Sequence, residues 1–184
     1  MKRSRCPFCK GKLEQRQRIH PQCIDGYAEA QAEKAKRKAN KQAALERKAT
    51  REKLQALQTK PQLVKKAQIA FNAFIRARDA GKPCISCGKP FSRESNAFDA
   101  GHYRSVGSAP HMRFVETNTH GQCKHCNHRL AGNHVAYRKG LIERVGLQEV
   151  ERLERDQTTR HYTKEGLIEL ARQYRQMARN LKGN

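Results

Sequence analysis

Hydrophobic positions in this chain gather into a few short runs separated by long polar stretches, and the spacing within each run predicts an element. From 28 to 60 the sequence AEAQAEKAKRKANKQAALERKATREKLQALQTK is built from strong helix formers, with no Gly or Pro before Pro61. Apolar side chains larger than alanine are nearly absent there until Leu45, Leu54 and Leu57. The segment therefore has little stripe to bury, and reads as a long, solvated basic helix or a partly disordered arm. Pro61 suits the first turn of a new helix. After it, Leu63, Val64, Ala67, Ala70, Phe71, Phe74 and Ile75 recur at three- and four-residue spacing, an amphipathic helix ending near Gly81, Lys82 and Pro83. Residues 98–103 read as a strand, 104–112 with Gly107 and Pro110 as a loop, and Arg113, Phe114 and Val115 as the return strand of a hairpin. Two further helices are expected at 141–155 and 167–181. The second carries Leu167, Leu170, Ala171, Tyr174, Met177, Ala178 and Leu181 on one face, with Thr163 as its N-cap.

Composition narrows the class. Only 36% of residues are hydrophobic, 6% are aromatic and there is no Trp. Such a chain builds small domains with thin cores, which usually need metals or disulfides. The start, MKRSRCPFCK, is basic and carries no apolar signal segment, and no run approaches a membrane span. A reducing compartment and no membrane partner are therefore expected. Lys and Arg number 39 against 17 Asp and Glu, a formal net charge of +22. An excess this large is the footprint of a polyanion, and beside zinc-type cysteines it points to nucleic acid.

The seven cysteines form three C-x-x-C pairs and one remainder. With His20, the remainder closes the count at eight ligands. Cys6, Cys9, His20 and Cys23 make a C-x2-C-x10-H-x2-C set, and Cys84, Cys87, Cys123 and Cys126 make a second four-ligand set. In a reducing interior this spacing favours two structural zinc ions over disulfides. Thirty-five residues, 88–122, separate the two pairs of the second set, which is room for a hairpin clamped at its ends.

Within that clamp the order is C-x-x-C, His102 on a strand, Asn118 five residues before a cysteine, C-x-x-C, and then Asn127. This order resembles the HNH superfamily of ββα-metal nucleases, in the H-N-N form of the junction-resolving endonuclease VII. The runs CISCGKPF, DAGHYRSVGSAPHMRF and NTHGQCKHCNHRLAGNH, with the basic N-terminal region, resemble the NinG (Rap) recombination proteins of lambdoid phages over most of the chain. The nuclease resemblance covers about residues 82–140. Together they imply an α+β fold: a small zinc-binding, HNH-like ββα-metal core with an N-terminal zinc module, a long basic helix and C-terminal helices. The expected segments are 1–26, 27–60, 61–140 and 141–184.

The resemblance assigns His102 as general base, Asn118 as the residue that fixes loop or imidazole geometry, and Asn127 as ligand to a divalent Mg2+ or Mn2+. An imidazole titrating near neutrality suits the activation of water. A hard cation takes oxygen ligands, which makes Asp99 a second candidate for that metal and leaves the thiolates to zinc. Many members of the superfamily place an acid directly before the histidine, where this chain has Gly101. On a regular strand Asp99 and His102 lie on opposite faces. A bulge near Gly101 would bring them together; without one, Asp99 is structural. Tyr103, Arg104 and Arg113 flank the hairpin as DNA-binding candidates, each also readable as basic surface. The expected activity is a metal-dependent endonuclease cutting branched recombination intermediates such as D-loops and Holliday junctions. The expected setting is the cytoplasm of a bacterial host, with phage recombination proteins or a second copy of the chain as further partners. The alternative is a non-catalytic, zinc-dependent DNA-binding accessory protein with a degenerate nuclease fold.

Overall fold

The structure, a computed structural model, describes residues 4–14, 17–91 and 98–183; the other positions of the four expected segments lie outside the described residues. The chain divides into two compact units, Met1–Gln58 and Thr59–Asn184. Among the described residues no helix is long and apolar enough to cross a membrane.

The first unit begins with a knuckle closed by a bridge between Arg5 and Lys12. Its core consists of Cys6, Leu13 and Cys23, with Ile19 packed against them. A turn at Pro21–Cys23 then leads into α1, Ile24–Ala56, 33 residues with none buried. Pairs such as Arg37 with Glu33 support it locally, as i,i+4 charges on a solvated helix do.

The second unit is layered about a hairpin. Helix α2 (Lys60–Arg78) starts with a Thr59 capping box closed by Gln62 and places Pro61 in its first turn. Strands β1 (Phe98–His102) and β2 (Thr119–Cys123) pair antiparallel, Phe98 opposite Cys123 through His102 opposite Thr119, without interruption. The return strand is thus 119–123, not Arg113, Phe114 and Val115. Those three residues lie between two short 3-10 turns, Pro110–Met112 and Glu116–Asn118, because the buried Asn118 side chain ties the loop to itself. Beyond β2 a single π-helical turn, His125–Arg129, precedes α3 (His134–Val145) and α4 (Leu147–Arg155). The helix expected over 141–155 breaks at Gly146, whose φ of 85° is left-handed and ends α3. Helix α5, Lys164–Asn180, is capped by Thr163, whose hydroxyl accepts from the Gly166 N–H.

Strand alternation gives the sheet two different faces. Ala100 joins Phe71, Phe74, Ile75, Phe114 and Tyr174 in a core made largely by α2 and α5. On the other side Tyr137 and Leu141 of α3 and Val150 and Leu153 of α4 form a second core with Ile85, Ala109 and Met112. The Tyr137 hydroxyl reaches through it to donate to the Gly101 carbonyl, at 2.8 Å.

A buried carboxylate joins α2 to this frame. Asp79 is fully buried, accepts from the Gly121 N–H of β2 at 2.9 Å and pairs with Arg78 (2.9 Å) and Lys82 (3.2 Å). Burial alone would raise its pKa, but hydrogen bonds from His120, Arg78 and Gly121 outweigh it and hold the carboxyl well below the usual carboxylate range. Replacing Asp79 with alanine strands a buried N–H and leaves Arg78 without its partner. The expected loss is about 3–5 kcal/mol of unfolding free energy, the scale for breaking a buried pair from one side, read from denaturant titration.

Candidate metal and active centre

Both sulfur-rich sets assemble. The ligand atoms of Cys6, Cys9, His20 and Cys23 lie within 4.8 Å of one another, as do those of Cys84, Cys87, Cys123 and Cys126. The donor chemistry of each fits zinc. In the first set His20 Nδ1 is 3.2 Å from the Cys9 sulfur, while Nε2 lies 3.1 Å from the Lys12 carbonyl. A carbonyl can only accept, so Nε2 carries the proton and Nδ1 presents its lone pair to the thiols. In the second set backbone N–H groups point at sulfur: Cys123 N to Cys84 Sγ at 3.3 Å and Cys126 N to Cys123 Sγ at 3.4 Å. Burial pushes the Cys84 thiol up, but N–H groups of Cys123, Cys87 and Ser86 overcome it and bring it down to about 7. Burial pushes Cys126 up to about 12, against the Asn133 amide. Four thiols packed this closely ionise together only around a cation, and the two clusters are compatible with zinc.

The second cluster fixes the base of the hairpin, since Cys123 closes β2 opposite Phe98. One residue from Phe98, Asp99 leaves the face that it shares with Gly101, His120 and Gln122. Its Oδ2 receives the Asn127 amide at 3.3 Å and lies 2.8 Å from His128 Nε2. Asn127 and His128 sit in the π-helical turn, closed by the Leu130 N–H on the His125 carbonyl at 3.0 Å. The turn is held from behind: Gln122 donates to the Gly132 carbonyl at 2.6 Å and Asn133 to the Cys126 sulfur at 3.6 Å. Ala131 and Asn133 there adopt left-handed φ of 47° and 46°, conformations kept only where surroundings impose them.

The unbroken register leaves no bulge at Gly101, and Asp99 nonetheless meets Asn127. The reason lies in Gln122. A Cβ on residue 101 would stand 2.9 Å from Gln122 Cβ, so this position takes only glycine. A carboxylate two residues earlier on the same face reaches the turn instead.

His102 occupies the opposite face. Its ring centroid lies 6.1 Å from that of Phe71, and its Nε2 donates to the Arg113 carbonyl at 3.0 Å. With that proton fixed on Nε2, the lone pair is on Nδ1. Burial lowers the His102 pKa below its ordinary 6.5, against the raising effect of the Arg113 carbonyl, so the ring is neutral at neutral pH. Asn118, fully buried, accepts from the Arg104 N–H at 2.8 Å and donates to the carbonyls of Arg104 (3.1 Å) and Met112 (3.4 Å). It shapes the loop that carries the Arg113 carbonyl and has no hydrogen bond to His102 itself.

The three flanking DNA-binding candidates each hold a contact within the second unit. The Tyr103 hydroxyl donates to Glu154 at 2.6 Å, and Arg104 donates to the carbonyls of Leu153 (2.9 Å) and Asp156 at the end of α4. Arg113 donates to Gln68 of α2 at 3.2 Å. Tyr103 and Arg104 dock α4 and stay partly exposed. The sequence reading did not single out Lys124 and Arg129, exposed on either side of Asn127 and without an ion-pair partner among the described residues, or the exposed His128.

A family model described as the bacteriophage lambda NinG protein matches residues 1–184. The protein ninG of Salmonella phage P22 is 43% identical over 127 residues, 69% of this chain and 61% of that protein. The protein ninG of Escherichia phage lambda is 41% identical over 129 residues, 70% of this chain and 62% of that protein. The matched stretch thus spans about three fifths of the length of these relatives. No solved structure matches the chain. On the match of the family model along its whole length, the chain belongs to the NinG family of phage proteins.

Proposed function

We propose that the chain is a metal-dependent DNA endonuclease with a ββα-metal core, acting on branched recombination intermediates. The observation that carries this reading is the meeting of Asp99 from β1 with Asn127 from the turn clamped by Cys123 and Cys126. Half a turn of the carboxamide exchanges its NH2 for its oxygen, so both side chains can offer oxygen to one hard cation. Asp99 and Asn127 would hold a divalent ion, Mg2+ or Mn2+, which when bound would supply positive charge to the phosphoryl group and the leaving 3′ oxygen.

The remaining roles belong to the chain. Among the described residues no strand pairs with the other edge of β1. A phosphodiester along that edge is approached from one face by Asp99 and Asn127 and from the other by His102. The neutral imidazole takes a proton from water on Nδ1 while the Arg113 carbonyl holds Nε2–H. Asn118 keeps that carbonyl in place through the loop backbone. Lys124 and Arg129 extend the site along the DNA backbone as phosphate contacts, which position the duplex without reading its sequence. The formal charge of +22 supplies attraction that weakens steeply with salt.

The separation of His102 and Asp99 onto two faces favours one rival reading, a DNA-binding accessory protein without catalysis. Strand scission separates them. Purified two-zinc protein is incubated with a four-way junction, a D-loop and linear duplex, each with Mg2+ or Mn2+. Cuts with 3′-hydroxyl ends, faster on the branched substrates, are expected. Binding to all three with no scission under either metal would leave only the accessory role.

A further inference from the structure

We infer that His128 is a third ligand of the Asp99–Asn127 cation site, which makes that site a mixed oxygen–nitrogen centre preferring first-row transition ions to Mg2+. The inference rests on the cation position proposed above and adds a residue and a metal preference to it.

Spacing carries the argument. Two ligand atoms about 2.1 Å from one ion, at right angles in an octahedron, stand about 3.0 Å apart. His128 Nε2 and Asn127 Nδ2 lie 2.8 and 3.3 Å from the same oxygen, Asp99 Oδ2, which brackets that edge. Two edges that meet at Asp99 Oδ2 thus stand near ligand spacing, and rotation of the Asn127 carboxamide would present its oxygen in place of the nitrogen. Consecutive residues of an α-helix would seldom both reach one carboxylate; here the π-helical turn that holds Asn127 and His128 delivers them together.

Three other histidines of this unit rest on backbone carbonyls. His102 Nε2 lies on the Arg113 carbonyl, His111 Nε2 on that of Asp156 and His120 Nε2 on that of Thr117. His128 instead lies against a carboxylate at the surface, with its side chain 67% exposed and that of Asp99 31%, so an ion reaches both from solvent. An imidazole ligand changes selectivity. Mg2+ favours oxygen and gains little from nitrogen, whereas affinity for an oxygen–nitrogen site rises from Mn2+ through Ni2+.

The test reads metal binding rather than cleavage. Mn2+ is titrated into the two-zinc protein and followed by electron paramagnetic resonance, then displaced with Mg2+ or Ni2+, with zinc content measured throughout. Wild type is expected to bind one Mn2+ with nitrogen hyperfine coupling and to release it to far less Ni2+ than Mg2+. Asp99→Ala removes the site. His128→Ala and His128→Gln should keep both zinc ions, lose the nitrogen coupling and weaken Ni2+ by at least about tenfold, the loss that even a supporting partner of a ligand causes. Mg2+ competition should be unchanged. Equal Ni2+ affinity in wild type and both variants, or no Mn2+ bound by wild type, overturns the inference. DNA cleavage with His128-independent Ni2+ binding overturns it and leaves the nuclease reading standing; His128-dependent binding without cleavage does the reverse.

Discussion

Replacing His102 with alanine is expected to lower strand scission by about 10²–10⁴-fold while leaving junction binding and its salt dependence in place, the range for removing a positioned general base. The imidazole forms one hydrogen bond, to the Arg113 carbonyl, and its ring lies beside Phe71. Two-zinc content and an unchanged melting profile would confirm that the frame survives its loss. The pH profile tests the same group independently. A general base acts as the neutral ring, and burial lowers the His102 pKa from 6.5. Activity should therefore persist to a lower pH than an ordinary imidazole allows, and fall only as the folded-state pKa is crossed. The stability sign agrees. An unfolded His102 binds its proton more readily than the folded one, so the buried neutral ring contributes stability above the unfolded pKa that is lost as pH falls. His102→Ala that still cuts at wild-type rate would remove it as the base. Asn118→Ala gives a graded comparison: it frees the loop carbonyls without touching the ring, so it should slow scission less than His102→Ala.

Physical periodicity decided what could be read beforehand. Helices α2 and α5 were legible because their buried residues, Leu63 to Ile75 and Leu167 to Ala178, recur at helical spacing against a polar background. Helix α1 was legible for the opposite reason, strong helix formers with no stripe to bury, and none of its residues is buried. The cysteine sets needed only spacing and a count of ligands. Strand β2 was not legible. Thr119, His120, Gly121, Gln122 and Cys123 carry no apolar alternation, because hydrogen bonds that Gly121 and Gln122 donate to Asp79, Ser86 and Gly132, rather than apolar packing, hold the strand's inner atoms. Phe114 and Val115 imitated a strand because Phe114 is buried, yet in a loop, against α2 and α5. The break at Gly146 carried two signals, the glycine itself and the five-residue step from Val145 to Val150, where a continuous stripe keeps steps of three or four. At the site, alternation correctly placed Asp99 and His102 on opposite faces. What it could not contain was the turn that brings Asn127 and His128 to Asp99, since three left-handed residues in Ala131, Gly132 and Asn133 have no periodic signature.

Removing a zinc ligand should act differently in the two units, because their cores differ. Unit one buries Cys6, Leu13 and Cys23, and two of those three belong to the candidate zinc set. A structural zinc contributes about 10–16 kcal/mol of apparent binding free energy, and without it so small a core cannot offset chain entropy. Cys6→Ser is therefore expected to unfold the knuckle entirely, losing amide protection at Cys6 and Cys23, while α1 keeps partial helicity from its own sequence. In unit two the two apolar cores contain none of the four thiols. Cys126→Ser should cost one zinc and leave α2, α5, α3 and α4 packed. It should release the end of the hairpin where Cys123 faces Phe98, and with it the turn that holds Asn127. Asp99 and Asn127 then separate, and scission falls to background in a protein that remains largely folded. Hydrogen exchange reads this outcome: protection lost at Gln122, Cys123 and Asn127 but kept at Phe71, Leu141 and Tyr174. Global loss of protection in Cys126→Ser would mean that zinc, and not the two helical layers, holds unit two together.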